Sequence, residues 1–181
     1  MKLKGIKSLT IYCASSSKID KKYINLGNKI GEIIAKNNIN LTYGGGNNGL
    51  MGVISNSVKL NGGYVTGIIP RFLVSTENLN TKIDKIIKVK NMSERKKLLL
   101  EKGDAILTLP GGPGTLEEIA EIISWLNLGI HSKPIIIFNY NSFWNKLILL
   151  YKQMYKQKFI DKKYNNLFYL INNISQFKKL F

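Results

Sequence analysis

The stretch from Gly103 to Glu121, GDAILTLPGGPGTLEEIAE, constrains the fold more than any other part of the chain. Ala105 to Leu109 is a short, uninterrupted apolar run, the pattern of a strand buried on both faces. Pro110 ends that run, Gly111, Gly112, Pro113 and Gly114 form a turn, and Thr115 opens an amphipathic helix. A strand that passes through a glycine turn into a helix presents bare backbone N–H groups and the positive end of the helix dipole. That geometry favours an anion, most often a phosphate. A ligand-free account of the same residues makes Thr115 the N-cap, with Glu118 completing a capping box. Three glycines within four residues favour the ligand.

The same alternation of strand and helix runs along the chain. Lys7–Cys13 is a first strand, ending in Ala14, Ser15, Ser16 and Ser17. Ile19, Tyr23, Leu26, Ile30, Ile33 and Ile34 then recur at helical spacing up to Lys36. Ile39–Tyr43 is a strand that runs into Gly44-Gly45-Gly46-Asn47-Asn48-Gly49 and a helix over Leu50–Leu60. Tyr64–Ile69 is a third strand, 71–84 an irregular loop, and Lys85–Val89 a fourth strand. Ser93–Lys102 follows as a helix with Ser93 as its N-cap. Beyond the central stretch come the strand Ile135–Phe138, a helix over Phe143–Tyr155, a short strand near Leu167–Leu170 and a terminal helix. Continuously apolar strands alternating with helices predict a Rossmann-like α/β fold of three layers, α/β/α. Its sheet is mostly parallel, with about six or seven strands. No internal repeat or linker divides residues 1–181, so one domain is expected. Ligands of such folds sit at the carboxyl ends of the strands. Three polar or glycine-rich turns lie there: Ser15–Ser17, Gly44–Gly49 and Gly111–Gly114.

Composition removes several functions. With 44% hydrophobic and 21% charged residues the chain is globular rather than disordered. No apolar run reaches the roughly 18 residues of a membrane span. Ile6–Cys13 is too short and β-branched for a leader, and a cytoplasmic protein is expected. One cysteine, Cys13, and one histidine, His131, leave no internal disulfide and no cysteine-rich or all-histidine metal site. The net charge of +16 comes from lysines spread over many segments, without a nucleic-acid-binding motif, so no nucleic-acid partner is expected. An anionic small molecule benefits from the same field.

Gly44, Gly46 and Gly49 satisfy the spacing G-x-G-x-x-G of a dinucleotide site. That site also needs an acidic residue about 20 positions on, and Leu50–Thr76 contains none. A Lys and Ser/Thr after a glycine run, the triphosphate signature, is absent too. A mononucleotide or sugar phosphate remains. Adjacent parallel strands are expected to bring Arg95, at the start of its helix, near the Gly111–Thr115 turn. A guanidinium there can pair with phosphate or developing charge.

PGGPGTLEE at Pro110–Glu118 resembles the P-G-G-x-G-T-x-x-E signature of the Lonely Guy (LOG) proteins. These phosphoribohydrolases release the base from cytokinin riboside monophosphates, and were long labelled possible lysine decarboxylases. YCASSS at Tyr12–Ser17, YGGGNNGLMG at Tyr43–Gly52, MSERK at Met92–Lys96 and WLNLGIHSKPIIIFN at Trp125–Asn139 are similar to further family segments in the same order. The resemblance implies that Arg95 and Glu118 are the catalytic pair, and that Gly111, Gly112, Gly114 and Thr115 hold the 5′-phosphate. It implies nucleotide or substrate binding at Lys96, Glu117, Glu77, Met92, Ser15, Gly45 and Gly46. Ser93 stands where the family usually has His, Ala14 where Gly is common, and Pro113 in place of a frequent Tyr. The implied reaction is hydrolysis of the N-glycosidic bond of an adenosine 5′-monophosphate, cytokinin-type or plain, to free base and ribose 5-phosphate. It needs no metal and no organic cofactor. A homodimer is implied as well, with the helix around Ile119–Leu128 near the partner; its apolar Ile119, Ile122, Ile123 and Leu126 are more than one face requires, or equally belong to the core. The alternative is a non-catalytic nucleotide or molybdenum-cofactor carrier. A lysine decarboxylase would need pyridoxal phosphate on a lysine with a partner for the pyridine nitrogen, and no lysine here has that setting.

Overall fold

In this computed structural model, residues 2–76, 78–160 and 167–181 are described. Seven strands form one sheet: β1 (Ser8–Tyr12), β2 (Asn40–Tyr43), β3 (Val65–Pro70), β4 (Lys85–Val89), β5 (Ala105–Thr108), β6 (Ile135–Phe138) and β7 (Tyr169–Ile171). Their order is β4-β3-β2-β1-β5-β6-β7, and every pairing is parallel. The helices are α1 (Lys21–Lys36), α2 (Gly49–Leu60), α3 (Met92–Lys102), α4 (Pro113–Asn127), α5 (Asn145–Lys156) and α6 (Ile174–Lys178). The Rossmann-like three-layer expectation holds, with a sheet more uniformly parallel than the sequence required.

Right-handed crossovers explain the layers. From β1 to β3 the chain steps towards one edge, which puts α1 and α2 on one face. From β4 it returns to β5 and proceeds to the other edge, which puts α3, α4 and α5 on the opposite face. Alternate strand residues feed the two cores. Leu9, Ile11, Leu107 and Phe138 pack with α1, α2 and Phe177 of α6. Tyr12, Ile106, Ile135 and Ile137 pack with Leu99, Ile119, Ile123 and Ile148. Each large apolar side chain buried this way contributes about 1.5–3 kcal/mol. The apolar positions of α1 behave as their spacing predicts: Leu26, Ile30, Ile33 and Ile34 are buried, and Ile19 and Tyr23 lean on the same core.

Several expectations need correction. The N-cap of α3 is Asn91, whose side chain accepts from the Glu94 N–H at 2.9 Å, and Ser93 lies inside the helix. Thr115 is not an N-cap either, so the capping box fails. Helix α4 starts two residues earlier, with Gly112 as N-cap and Pro113 at its first position, where a missing N–H costs nothing. Strand β4 is not beside β5: β3, β2 and β1 lie between them. Helix α3 nevertheless reaches the centre of the molecule because it crosses back over the sheet, where the Thr10 hydroxyl of β1 donates to the Leu99 carbonyl at 2.7 Å. The loop 71–84 is less irregular than expected. It opens with a 3-10 turn, Arg71–Leu73, and Leu79 forms an antiparallel bridge with Gly46.

Candidate functional site

With β2 and β5 on either side of β1, the chain runs out in opposite directions along the sheet, and the crevice above this reversal is where open α/β sheets bind ligands. The three turns singled out in the sequence meet there. The Ala14 N–H donates to the Pro110 carbonyl at 3.2 Å, and the Met51 N–H to the Ala14 carbonyl at 3.3 Å. They border a crevice of about 200 Å³, open to solvent. Its polar wall is Ser15, Arg95, Gly112, Gly114, Thr115 and Glu118, and its apolar wall includes Tyr12, Cys13, Met51, Leu73 and Met92.

Helix α4 brings its N-terminus to the crevice. Pro113 has no N–H, and the first bond of the helix runs from Leu116 N–H to the Gly112 carbonyl at 3.0 Å. The N–H groups of Gly114 and Thr115, ahead of that bond, have no intrahelical acceptor. Gly112 and Gly114 have open space where a side chain would stand. Gly111 is different: a Cβ there would collide with Thr115, whose side chain is 4% exposed beneath it. Gly114, Thr115 and Glu118 share one face of α4 through the i, i+3, i+4 spacing. That face turns Glu118 into the crevice one turn below the glycines.

Arg95 arrives from α3 and is 6% exposed. One guanidinium nitrogen, Nη2, donates to the Gly44 carbonyl at 3.5 Å, and Nη1 lies 3.9 Å from Met92 Sδ. Gly44 leaves the space for this contact, because a Cβ there would overlap Arg95 Nη2 in its present position. The carboxylate of Glu118 is felt by its neighbours. Burial, then the charges of Glu118 and Glu121, push the Tyr12 phenol far above its ordinary range, Arg95 opposing. Burial and Glu118 do the same to the Cys13 thiol. Both groups are therefore neutral, and neither serves as a nucleophile near neutral pH.

Other expected residues lie elsewhere. Gly45 and Gly46 do not line the crevice; they hold the loop that follows β3. The Asn80 N–H donates to the Gly45 carbonyl at 3.0 Å, and the buried Asn80 amide reaches Ser55 and Asn56 at 3.1 and 3.0 Å. Gly45 takes φ +84°, which a side chain resists. Glu77, in that loop, lies outside the described residues. Lys96 and Glu117 bond each other beside the crevice, and Lys96 also contacts Glu121 at 3.0 Å. Burial works against the Lys96 charge, but the hydrogen bonds it donates to these two carboxylates outweigh it and raise its pKa. Of the two roles open to Ile119, Ile122 and Ile123, partner face or core, the structure takes the core, where they are at most 2% exposed. Tyr12, Cys13, Gly44, Met51 and Leu73 were missed as site residues. All but Leu73 lie within motifs already quoted, where sequence could not say which neighbours face inward. Among the described residues no three of His, Cys, Asp and Glu are grouped to hold a metal, and no helix is long and apolar enough to cross a membrane.

The family described as "Possible lysine decarboxylase" matches residues 51–180. The probable cytokinin riboside 5′-monophosphate phosphoribohydrolase LOG4 of Oryza sativa subsp. japonica is 33% identical over 171 residues, which is 94% of this chain and 74% of that protein. The cytokinin riboside 5′-monophosphate phosphoribohydrolase LOG5 of Arabidopsis thaliana is 36% identical over 162 residues, 90% of this chain and 71% of that protein. Among solved structures, the molybdenum cofactor carrier protein of Chlamydomonas reinhardtii superposes with a TM-score of 0.69 over 94% of this chain and 92% of its own. At 16% identity it shows the shared fold alone.

Proposed function

The chain belongs to the possible lysine decarboxylase family, that of the LOG phosphoribohydrolases, and on that premise we propose that it hydrolyses the N-glycosidic bond of nucleoside 5′-monophosphates with an adenine-type base. Free base and ribose 5-phosphate are the products. The observation that carries the reading is the convergence of Arg95 and Glu118 with the Gly112–Thr115 helix start in one crevice. The 5′-phosphate takes the N–H groups of Gly114 and Thr115 and the positive end of α4. Ribose then extends towards Glu118, one turn along the same helix face, and the base towards the apolar wall.

Breaking the bond builds positive charge at the anomeric carbon as electrons move to the departing base. The Glu118 carboxylate stabilises that charge, and is placed to take a proton from the attacking water. Arg95 stays cationic and acts electrostatically, on the phosphate or on negative charge developing at the base. The family's description names a decarboxylase, which needs a lysine amine in the crevice to carry pyridoxal phosphate. The described lining residues include none, and Lys96 is engaged by Glu117 and Glu121. The residues do not fit that cofactor.

The test is a product assay with adenosine monophosphate and isopentenyladenosine monophosphate, scoring free base and ribose 5-phosphate. Wild-type protein is expected to release both, and Glu118→Ala to be slower by at least about 100-fold, the scale of one catalytic group. Tight nucleotide binding without release would replace this reading with a nucleotide-binding carrier. The homodimer is proposed too. Leu116, Leu128 and Ile130, on α4 and the turn after it, are 43%, 68% and 61% exposed and offer the apolar face. Light scattering on the same preparation decides it, and a monomer mass removes it.

A further inference from the structure

Lys96 follows Arg95 on α3, yet its ammonium turns to α4 and contacts Glu117 and Glu121, the latter at 3.0 Å. Its side chain is only 14% exposed, and that of Glu121 24%. The second oxygen of Glu121, Oε2, is buried with no hydrogen-bond partner among the described residues. Glu117, Glu118 and Glu121 crowd one side of a single helical turn, where like charges at i, i+3 and i, i+4 repel. Stability gives little reason for such a cluster: the pair with the half-exposed Glu117 is screened by water, and burying Lys96 and Glu121 costs desolvation that their attraction does not reliably offset. Its position is more telling. Lys96 is one residue from Arg95, and Glu117 one residue from Glu118, so the bridge joins the two helices at the level of the proposed catalytic pair.

We propose that Lys96 is a positioning residue rather than a nucleotide ligand: by bridging Glu117 and Glu121 it fastens α3 to α4 and offsets the repulsion that would otherwise disfavour an ionised Glu118. The inference rests on the reading that Arg95 and Glu118 act on the nucleotide. Titratable and charged groups around the bridge are Arg95 and Lys97 on α3, the three carboxylates of α4, Tyr12 and Cys13 at the end of β1, and, in the groove beyond Glu121, Glu101, His131 and Lys133. Among the described residues, Lys96 is the cation in contact with both Glu117 and Glu121.

The experiment compares Lys96→Met, which keeps the apolar stem, with Lys96→Arg, which keeps the charge, and with Glu121→Gln. Base release is followed across pH, with kcat and KM separated. Lys96→Met is expected to lose about tenfold in kcat with KM within about twofold, since a transition-state interaction is weakened rather than uniform binding. The acidic limb of its kcat profile moves to higher pH, because carboxylates deprived of a counter-charge favour their protonated forms. Lys96→Arg restores most of kcat. Glu121→Gln removes a negative charge and moves the limb to lower pH, which keeps the test alive if Lys96→Met does not fold. A raised KM at unchanged kcat in Lys96→Met would make Lys96 a nucleotide ligand and overturn the proposal, as would unmoved pH limbs. If the wild-type protein releases no base at all, the proposed function fails on its own. The bridge is then judged by thermal unfolding of Lys96→Met, Glu121→Gln and the double variant. Non-additive losses support it, and additive losses remove it.

Discussion

Gly44 and Arg95 depend on each other at a distance of 51 positions in sequence. The guanidinium fits against the Gly44 carbonyl only because no Cβ occupies that point. Gly44 needs no positive φ to matter; its value is the room it leaves for a buried cation. Gly44→Ala is expected to displace Arg95 and lower kcat/KM by at least about tenfold, since small misplacements of a catalytic group cost that much or more. Steady-state kinetics with a circular dichroism control check this, and unchanged kinetics in a folded variant would detach Arg95 from the reaction. Tyr12 and Cys13, held neutral by burial and by Glu118, enter this chemistry as crevice wall rather than as reacting groups.

Among the elements, α1 and α2 make the closest helix pair, and small residues permit it. A Cβ on Gly31 would stand 2.5 Å from Ser57 Cβ and 2.8 Å from the Ile54 carbonyl oxygen, the second being backbone that cannot swing aside. The Ser57 hydroxyl also donates to the Asn28 carbonyl at 2.7 Å across the same contact. Gly31→Ala is therefore expected to destabilise the fold by about 1–3 kcal/mol, the range for overpacking, although alanine is the better helix former. Denaturant unfolding measures it, and a gain in stability would mean that the helices separate at no cost. Since the Met51 N–H in the first turn of α2 donates to the Ala14 carbonyl, this contact also holds one wall of the crevice in place.

On the scale of the whole molecule the two ends of the sheet do different work. The carboxyl ends of the strands carry the crevice, while two aspartates at the opposite end staple strands together. Asp104 accepts from the Lys7 and Ser8 N–H groups at 2.8 and 2.9 Å, joining β5 to β1. Asp84 accepts from the Val65 N–H at 2.7 Å and pairs with Lys59 at 2.6 Å, joining β4 to β3 and α2. Burial opposes their charge, but these bonds outweigh it and hold both carboxyls below their ordinary values. A depressed folded pKa contributes stability above the unfolded value, about 3.9, that is lost as pH falls through the folded one. The Tm is expected to drop on acidification below about pH 4. The Asp84→Asn/Asp104→Asn double variant should be less stable at neutral pH and show a shallower drop. Equal slopes in the two proteins would assign the acid sensitivity to other groups. The edges of the sheet are managed by charge at one side, where β4 exposes Lys85 and Lys88.

Local pattern was enough for the alternation of strands and helices, for the parallel sheet, and for the three turns at its carboxyl end. Apolar runs, helical spacing and glycine turns act over a few residues, and their physics is complete within that span. The family motifs went further and marked Arg95 and Glu118. What local pattern could not supply was the path of the chain in space. Adjacency of β4 and β5 would bring Arg95 beside the glycine turn directly, yet three strands separate them and α3 crosses back to make the meeting. Strand order depends on handed crossovers and on core packing between distant segments, which no short window contains. For the same reason the sequence could not distinguish Gly44, which admits Arg95, from Gly45 and Gly46, which hold a loop. Nor could it show that Lys96 pairs with Glu117 and Glu121, or that the isoleucines of α4 belong to the core. Which side of an element faces a ligand, a neighbour or water is a property of the assembled layers, and only the tertiary structure decided it.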